Sequence, residues 1–128
     1  MHNVKAGANA EVSIQVTDAM TALRMGSGKV NAYATPAMIA LMERAAVNAI
    51  DHLIADGHTS VGTVLEVNHL APTPPGQKVR ARAEVFNVEG NEIIFTVQAW
   101  CGDEMIGDGT HSRIIVDVER FSKRLNAE

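Results

Sequence analysis

Apolar and polar positions alternate along five stretches of the chain and recur at three- and four-residue spacing along one. From Glu11 to Thr17, Ile14 and Val16 fall on one face and Ser13 and Gln15 on the other, the period-two pattern of a half-buried strand. Thr35-Pro36 reads as a helix start, with a hydroxyl at the N-cap and proline at the first helical position, where a missing N–H costs nothing. From Ala37 to Asp56, Ile39, Met42, Ala46, Ala49, Ile50 and Leu53 recur at helical spacing, and Gly57 supplies a left-handed stop. At about 1.5 Å per residue this helix is roughly 30 Å long, close to the width of a small domain. Four more strands follow: Ser60 to Leu70, Gln77 to Asn87, Glu92 to Cys101 and Met105 to Val118. The second alternates cleanly, with Val79, Ala81, Ala83 and Val85 against Lys78, Arg80, Arg82 and Glu84. The turns Glu89-Gly90-Asn91 and Gly102-Asp103-Glu104 are short, so their flanking strands pair antiparallel.

One long, mostly apolar helix and about five strands must share a core. The economical arrangement is an α+β domain in which a curved antiparallel sheet wraps a long central helix. Gly107 and Gly109 suit a bend or a close backbone approach in the last strand. One helix covers one face of such a sheet and leaves its edges open, which predicts side-by-side association as a homodimer. The pattern makes residues 1–128 a single domain, with 1–9 and 122–128 as loose termini.

Composition narrows the function. At 128 residues and 46% hydrophobic content the chain is sized for one well-filled core. Eleven basic against fifteen acidic residues disfavour a nucleic-acid partner, and 4% aromatics leave little for base stacking. Cys101 is the only cysteine, so no internal disulfide is available. The first ten residues lack the apolar core of a signal peptide, and no apolar run approaches a membrane span. A cytoplasmic protein without a membrane partner is expected. His2, His52 and His58 lack metal-ligand spacing and there is no phosphate-binding glycine loop, so neither a metal nor a cofactor is expected.

Two residues stand out chemically. On a helical projection Glu43 lines up with Ile39, Ala46 and Ile50, placing a carboxylate in the apolar stripe. Such a group is costly unless paired, hydrogen-bonded or protonated, and it suits a general acid or base; it also suits a half-wet rim. In the strand Val61-Gly62-Thr63-Val64-Leu65-Glu66-Val67-Asn68-His69, period two groups His69 with Val67, Leu65, Thr63 and Val61 on the inner face. An inward histidine is commonly a hydrogen-bonded core residue. An inward Glu and an inward His in one small core suggest a pair, each tuning the other. Thr35 is expected to cap the helix, and eight residues separate it from Glu43, so both can border one cleft. Lys78, Arg80 and Arg82 form a row that reads as a solvated face or a phosphate contact, and His111 reads as structural.

The segments Thr35-Pro36-Ala37-Met38-Ile39-Ala40-Leu41-Met42-Glu43, Val61-Gly62-Thr63, Asn68-His69, Ala71-Pro72-Thr73-Pro74-Pro75-Gly76 and Glu104-Met105-Ile106-Gly107-Asp108-Gly109-Thr110-His111-Ser112-Arg113 resemble the fluoroacetyl-CoA thioesterase-like family of hot-dog proteins, from about residue 10 to residue 121. The resemblance implies a hot-dog fold, usually dimeric or further paired to a tetramer. It implies Thr35, Glu43 and His69 as the catalytic set and the Gly62 N–H as a donor to the thioester carbonyl. The implied reaction cuts an acyl-CoA thioester to a carboxylic acid and free CoA, with CoA entering as part of the substrate. The family's fluoroacetyl-specific enzyme carries phenylalanine in a lid, whereas Lys29-Val30-Asn31-Ala32-Tyr33-Ala34 has none. The resemblance therefore points to a general or short-chain acyl-CoA. A non-catalytic acyl-CoA binding module of the same fold is the alternative.

Overall fold

The computed structural model describes residues 1–127. In chain order it contains β1 (Asn9–Gln15), α1 (Ala22–Met25), α2 (Thr35–Ile50), β2 (His58–His69), β3 (Lys78–Glu89), β4 (Glu92–Cys101), β5 (Glu104–Asp117) and α3 (Val118–Asn126). The strands form one antiparallel sheet in the order β1-β3-β4-β5-β2, so β1 and β2 are its edges. Helix α2 lies across the inner face. Its Met38, Leu41, Met42, Ala45, Ala46, Ala49 and Ile50 pack on Val79, Ala81, Ala83 and Val85 of β3 and on Ile93, Phe95, Val97 and Ala99 of β4. The alternation read in β3 and β4 is thus the alternation of buried and open positions. Phe95, fully buried, contributes about 2–3 kcal/mol through its removal from water.

Small residues set how closely helix and sheet approach. A Cβ at Gly107 would stand 2.5 Å from the Met38 sulfur, and one at Gly109 would strike the backbone carbonyl of Glu66. Both glycines of β5 are therefore close-approach positions, as their spacing predicts.

Three local features differ from the sequence expectation. Helix α2 starts one residue early: Ala34 is the N-cap and offers no side-chain cap, Thr35 is the first helical residue, and Pro36 follows. The helix also ends early, at Ile50, tightening into a 3-10 turn over Asp51–Leu53. The N-terminal segment accounts for this. Asn3 N donates to Leu53 O, Ala55 N donates to Met1 O, and His2 bridges Ile54, so the backbone of residues 53–55 is drawn out of the helix. Gly57 does adopt a left-handed φ of +78°, in the turn that leads into β2. Residues 1–9 are accordingly engaged, with Val4 in the core. Likewise residues 118–126 form α3, where the Asp117 carboxylate accepts from Arg120 N. Val118, Phe121 and Leu125 recur at helical spacing along it, but none of them is buried.

The third difference is a β-bulge between Gly62 and Val64. Above it, Leu65, Val67 and His69 pair with His111, Gly109 and Gly107. Below it, Ser60 and Gly62 pair with Ile115 and Arg113, side chains that are buried on the inner face. One extra residue reverses the parity. The predicted inner positions Val61 and Thr63 therefore turn away, and Gly62 turns toward α2.

Candidate active site

The carboxyl end of β2 brings His69 against the first turn of α2. There the Thr35 Oγ1 and His69 Nδ1 are hydrogen-bonded at 2.7 Å. Since Thr35 is not the cap, its hydroxyl is free for this contact. The other ring nitrogen, Nε2, is buried and has no hydrogen-bond partner among the described residues. Burial lowers the His69 pKa from its ordinary value, partly offset by the Ala71 backbone, so the ring is neutral at pH 7. The pair sits in the wall of a cleft of about 380 Å3, between the 22–33 segment and Leu70-Ala71-Pro72. That volume is at the low end of small-molecule sites. Tyr33 closes the back of the segment, buried, with its hydroxyl donating to Ala37 O and its pKa pushed up to about 12 by burial.

Glu43 occupies the same helix about two turns further on, roughly 12 Å along the axis. Its side chain is 36% exposed, so solvent reaches the carboxylate. The bulge places Gly62 under it: a Cβ there would lie 2.7 Å from Glu43 Oε2. Glu43 Oε2 also faces Arg113 Nη1 at 3.6 Å. His69 and Glu43 thus have different partners within one chain, Thr35 and Arg113 respectively, and do not form the pair that the sequence suggested. The physical cause is length. Seven residues of β2 separate His69 from Gly62, about 23 Å of strand.

Arg113 was quoted in the sequence only as part of a motif, and the structure gives it a place beside Glu43. It is 7% exposed, and the usable signal was its position two residues before Ile115 and two after His111, on one strand face. His111 is fully buried, stacked on Phe95 with ring centroids 5.8 Å apart. Its Nδ1–H donates to Val64 O at 2.8 Å. Burial lowers its pKa, the Val64 hydrogen bond and Glu43 raise it, and Arg113 lowers it further. The Lys78 row lies on the outer face. There Arg80 pairs with Glu11 and stacks over Trp100, and Arg82 pairs with Glu84, exposed contacts each contributing about 0–1 kcal/mol. Among the described residues no cluster of His, Cys, Asp and Glu could hold a metal ion. Among the described residues no helix is long and apolar enough to cross a membrane.

A single long helix seated against a five-stranded antiparallel sheet is the hot-dog arrangement. A solved fluoroacetyl-CoA thioesterase superposes with a TM-score of 0.90 at 31% identity, over 97% of this chain and 96% of that one. A thioesterase superfamily member from Thermus thermophilus superposes with a TM-score of 0.86 at 30% identity over the full length of both. The fluoroacetyl-CoA-specific thioesterase family model matches residues 16–119. The fluoroacetyl-CoA thioesterase of Streptantibioticus cattleyicolor is 40% identical over 93 residues, 73% of this chain and 67% of that protein. The chain belongs to the fluoroacetyl-CoA-specific thioesterase family, and it is a thioesterase.

Proposed function

We propose that the protein hydrolyses an acyl-CoA thioester to a carboxylic acid and free CoA, with Glu43, His69 and Thr35 as the reacting set. The observation that carries this reading is the 2.7 Å contact between Thr35 Oγ1 and His69 Nδ1, in a cleft where Nε2 is unpartnered. With the Thr35 hydroxyl donating to Nδ1, the ring proton lies on Nε2, where it can donate a hydrogen bond to a departing thiolate. Glu43 takes a proton from the water that attacks the carbonyl carbon. The Gly62 N–H receives the developing oxyanion, a donor contribution of about 3 kcal/mol in such sites. The C–S bond then breaks, sulfur takes the proton that Glu43 took from the water, and Glu43 returns to its carboxylate form while His69 keeps its own proton.

Within one chain these groups sit at opposite ends of β2. A homodimer joined through its β2 edges brings them together. Val64 and Leu65, each about 40% exposed on the free edge, support that arrangement. Antiparallel pairing about the exposed Gly62–Glu66 stretch sets the Glu43–Gly62 end of one protomer beside the Thr35–His69 end of its partner. The substrate is a general short-chain acyl-CoA, because the cleft beside His69 is walled by Ala22, Val30, Ala32 and Ala71 and carries no phenylalanine. The protein acts without a cofactor, in the cytoplasm.

The test is thiol release from a panel of short, long and aryl acyl-CoAs. Glu43→Gln should lower turnover by about 10²-fold or more while circular dichroism and thermal midpoint stay near wild type. Wild-type turnover in that variant removes Glu43 from the chemistry. Saturable CoA-ester binding with no thiol release would make the protein a binding module instead.

A further inference from the structure

Arg120 and Arg124 of α3 are charges that the hydrolysis, as read above, leaves without a task. They stand four residues apart and so share one face of the helix. Both line a cleft of about 450 Å3 where α3 meets the first residue of β2 and the last residues of β5, a larger space than the one beside His69. Buried Ile115, with His58, Asn91 and Phe121, contributes to its walls. A basic pair on a short helix is commonly a solvated face balanced by nearby carboxylates. That is the arrangement elsewhere in the protein, where Arg24, Arg80, Arg82 and Lys123 pair with Asp18, Glu11, Glu84 and Glu119. Among the described residues neither Arg120 nor Arg124 has such a partner. The carboxylate that lines the cleft, Asp117, is engaged by the backbone, accepting from Arg120 N. The Lys78 row, where the sequence also allowed a phosphate contact, has both of its arginines paired on the outer face.

From this geometry we infer that the α3 cleft binds the phosphate groups of the CoA moiety, with Arg120 and Arg124 as their ligands. The inference rests on the acyl-CoA reading above, which supplies the phosphates. A guanidinium presents parallel N–H donors that match phosphate oxygens two at a time, and two of them on one helix face can hold a doubly charged group. Phe121 between them gives the adenine ring an apolar face. The reach agrees. Gly62, the proposed donor to the thioester carbonyl, lies four residues along β2 from His58, about 13 Å of strand. From sulfur to the first phosphate CoA has about a dozen chain bonds, the length of roughly four extended residues, ~14 Å. His58 also lies outside the Gly62–Glu66 stretch through which the protomers are proposed to pair, so the cleft stays open to the substrate.

The experiment compares acetyl-CoA with S-acetyl-N-acetylcysteamine, which keeps the thioester and lacks every phosphate. The enzymes are wild type, Arg120→Gln/Arg124→Gln and Lys123→Gln, the last removing a charge of the same helix that does not line the cleft. Both arginines are exposed, so the double variant should keep the wild-type thermal midpoint. Its kcat/KM on acetyl-CoA should fall by about tenfold or more, and on the truncated thioester should stay within about twofold. Raising salt should shrink the difference between wild type and double variant on acetyl-CoA. Lys123→Gln should match wild type on both substrates. An undiminished kcat/KM on acetyl-CoA, an equal loss on the truncated thioester, or an equal loss in Lys123→Gln overturns the proposal. Calorimetry with free CoA separates this proposal from the reaction. A wild type that cleaves neither thioester defeats the hydrolysis reading. CoA binding that is lost in the double variant would still support the cleft, and binding unchanged in that variant, or absent from wild type, overturns it.

Discussion

At the scale of single residues, Gly62 shows how a missing side chain shapes chemistry. It lies on the inner face only because of the bulge, and its lack of a Cβ lets the Glu43 carboxylate rest against the strand. Gly62→Ala should fold normally, because the group it displaces is the end of a flexible side chain. Its turnover should fall by about 10²-fold, since the displaced atom is the proposed base. Near-normal turnover with an intact fold, read by thiol release and circular dichroism, contradicts that account. Part of this site is readable in the sequence. Glu43 shares its helix face with Ala46 and Ile50, both buried, as the projection indicates. The partners of Glu43 are not readable, because they depend on which strand positions face it. That depends in turn on a one-residue irregularity that leaves no mark in a pattern of Val, Gly, Thr and Val.

Among the elements, strands were the more legible, and the reason is physical. β3 and β4 lie inside the sheet with one face on the core, so polarity and burial alternate together and their bounds fall within two residues of the pattern. Edge strand β2 is open along much of its length, which removes the constraint that would have kept the alternation regular. The start of α2 was misplaced by one residue because Thr-Pro fits two positions, and the competing partner, His69, is 34 residues away. The same elements give a graded prediction. A methyl at Gly107 meets the ends of Met38 and Met42, which can shift; one at Gly109 meets the Glu66 backbone, which cannot. Gly107→Ala should cost about 1–3 kcal/mol of stability. Gly109→Ala should cost more, and a reversed order in urea unfolding would mean that β2 and β5 separate more readily than their pairing implies.

For the molecule as a whole, two imidazoles kept neutral by burial make stability depend on pH. His69 and His111 have native pKa values below the ordinary 6.5. Above that value neither native nor unfolded chain is protonated at these sites. Below it the unfolded chain takes up protons that the native protein refuses. Stability is therefore complete above about pH 6.5 and declines as pH falls toward the native values, with the urea midpoint lower at about pH 5.5 than at about pH 7.5. A midpoint equal at the two pH values would place both rings in water. Architecture at this scale was the best-read feature. One helix and five antiparallel strands of these lengths leave few ways to share a core, and the family's solved members show the same one.

The bulge in β2 also decides how this cleft can be redesigned. Counting by twos from His69 leads to Val61 and Thr63, whose side chains point to the far side of the sheet. The residues that look into the helix-side space on the N-terminal half of the strand are even-numbered, Ser60 and Gly62, while those on the C-terminal half are odd-numbered, Leu65, Val67 and His69. A mutant library built on regular alternation would spend half its diversity on the wrong surface.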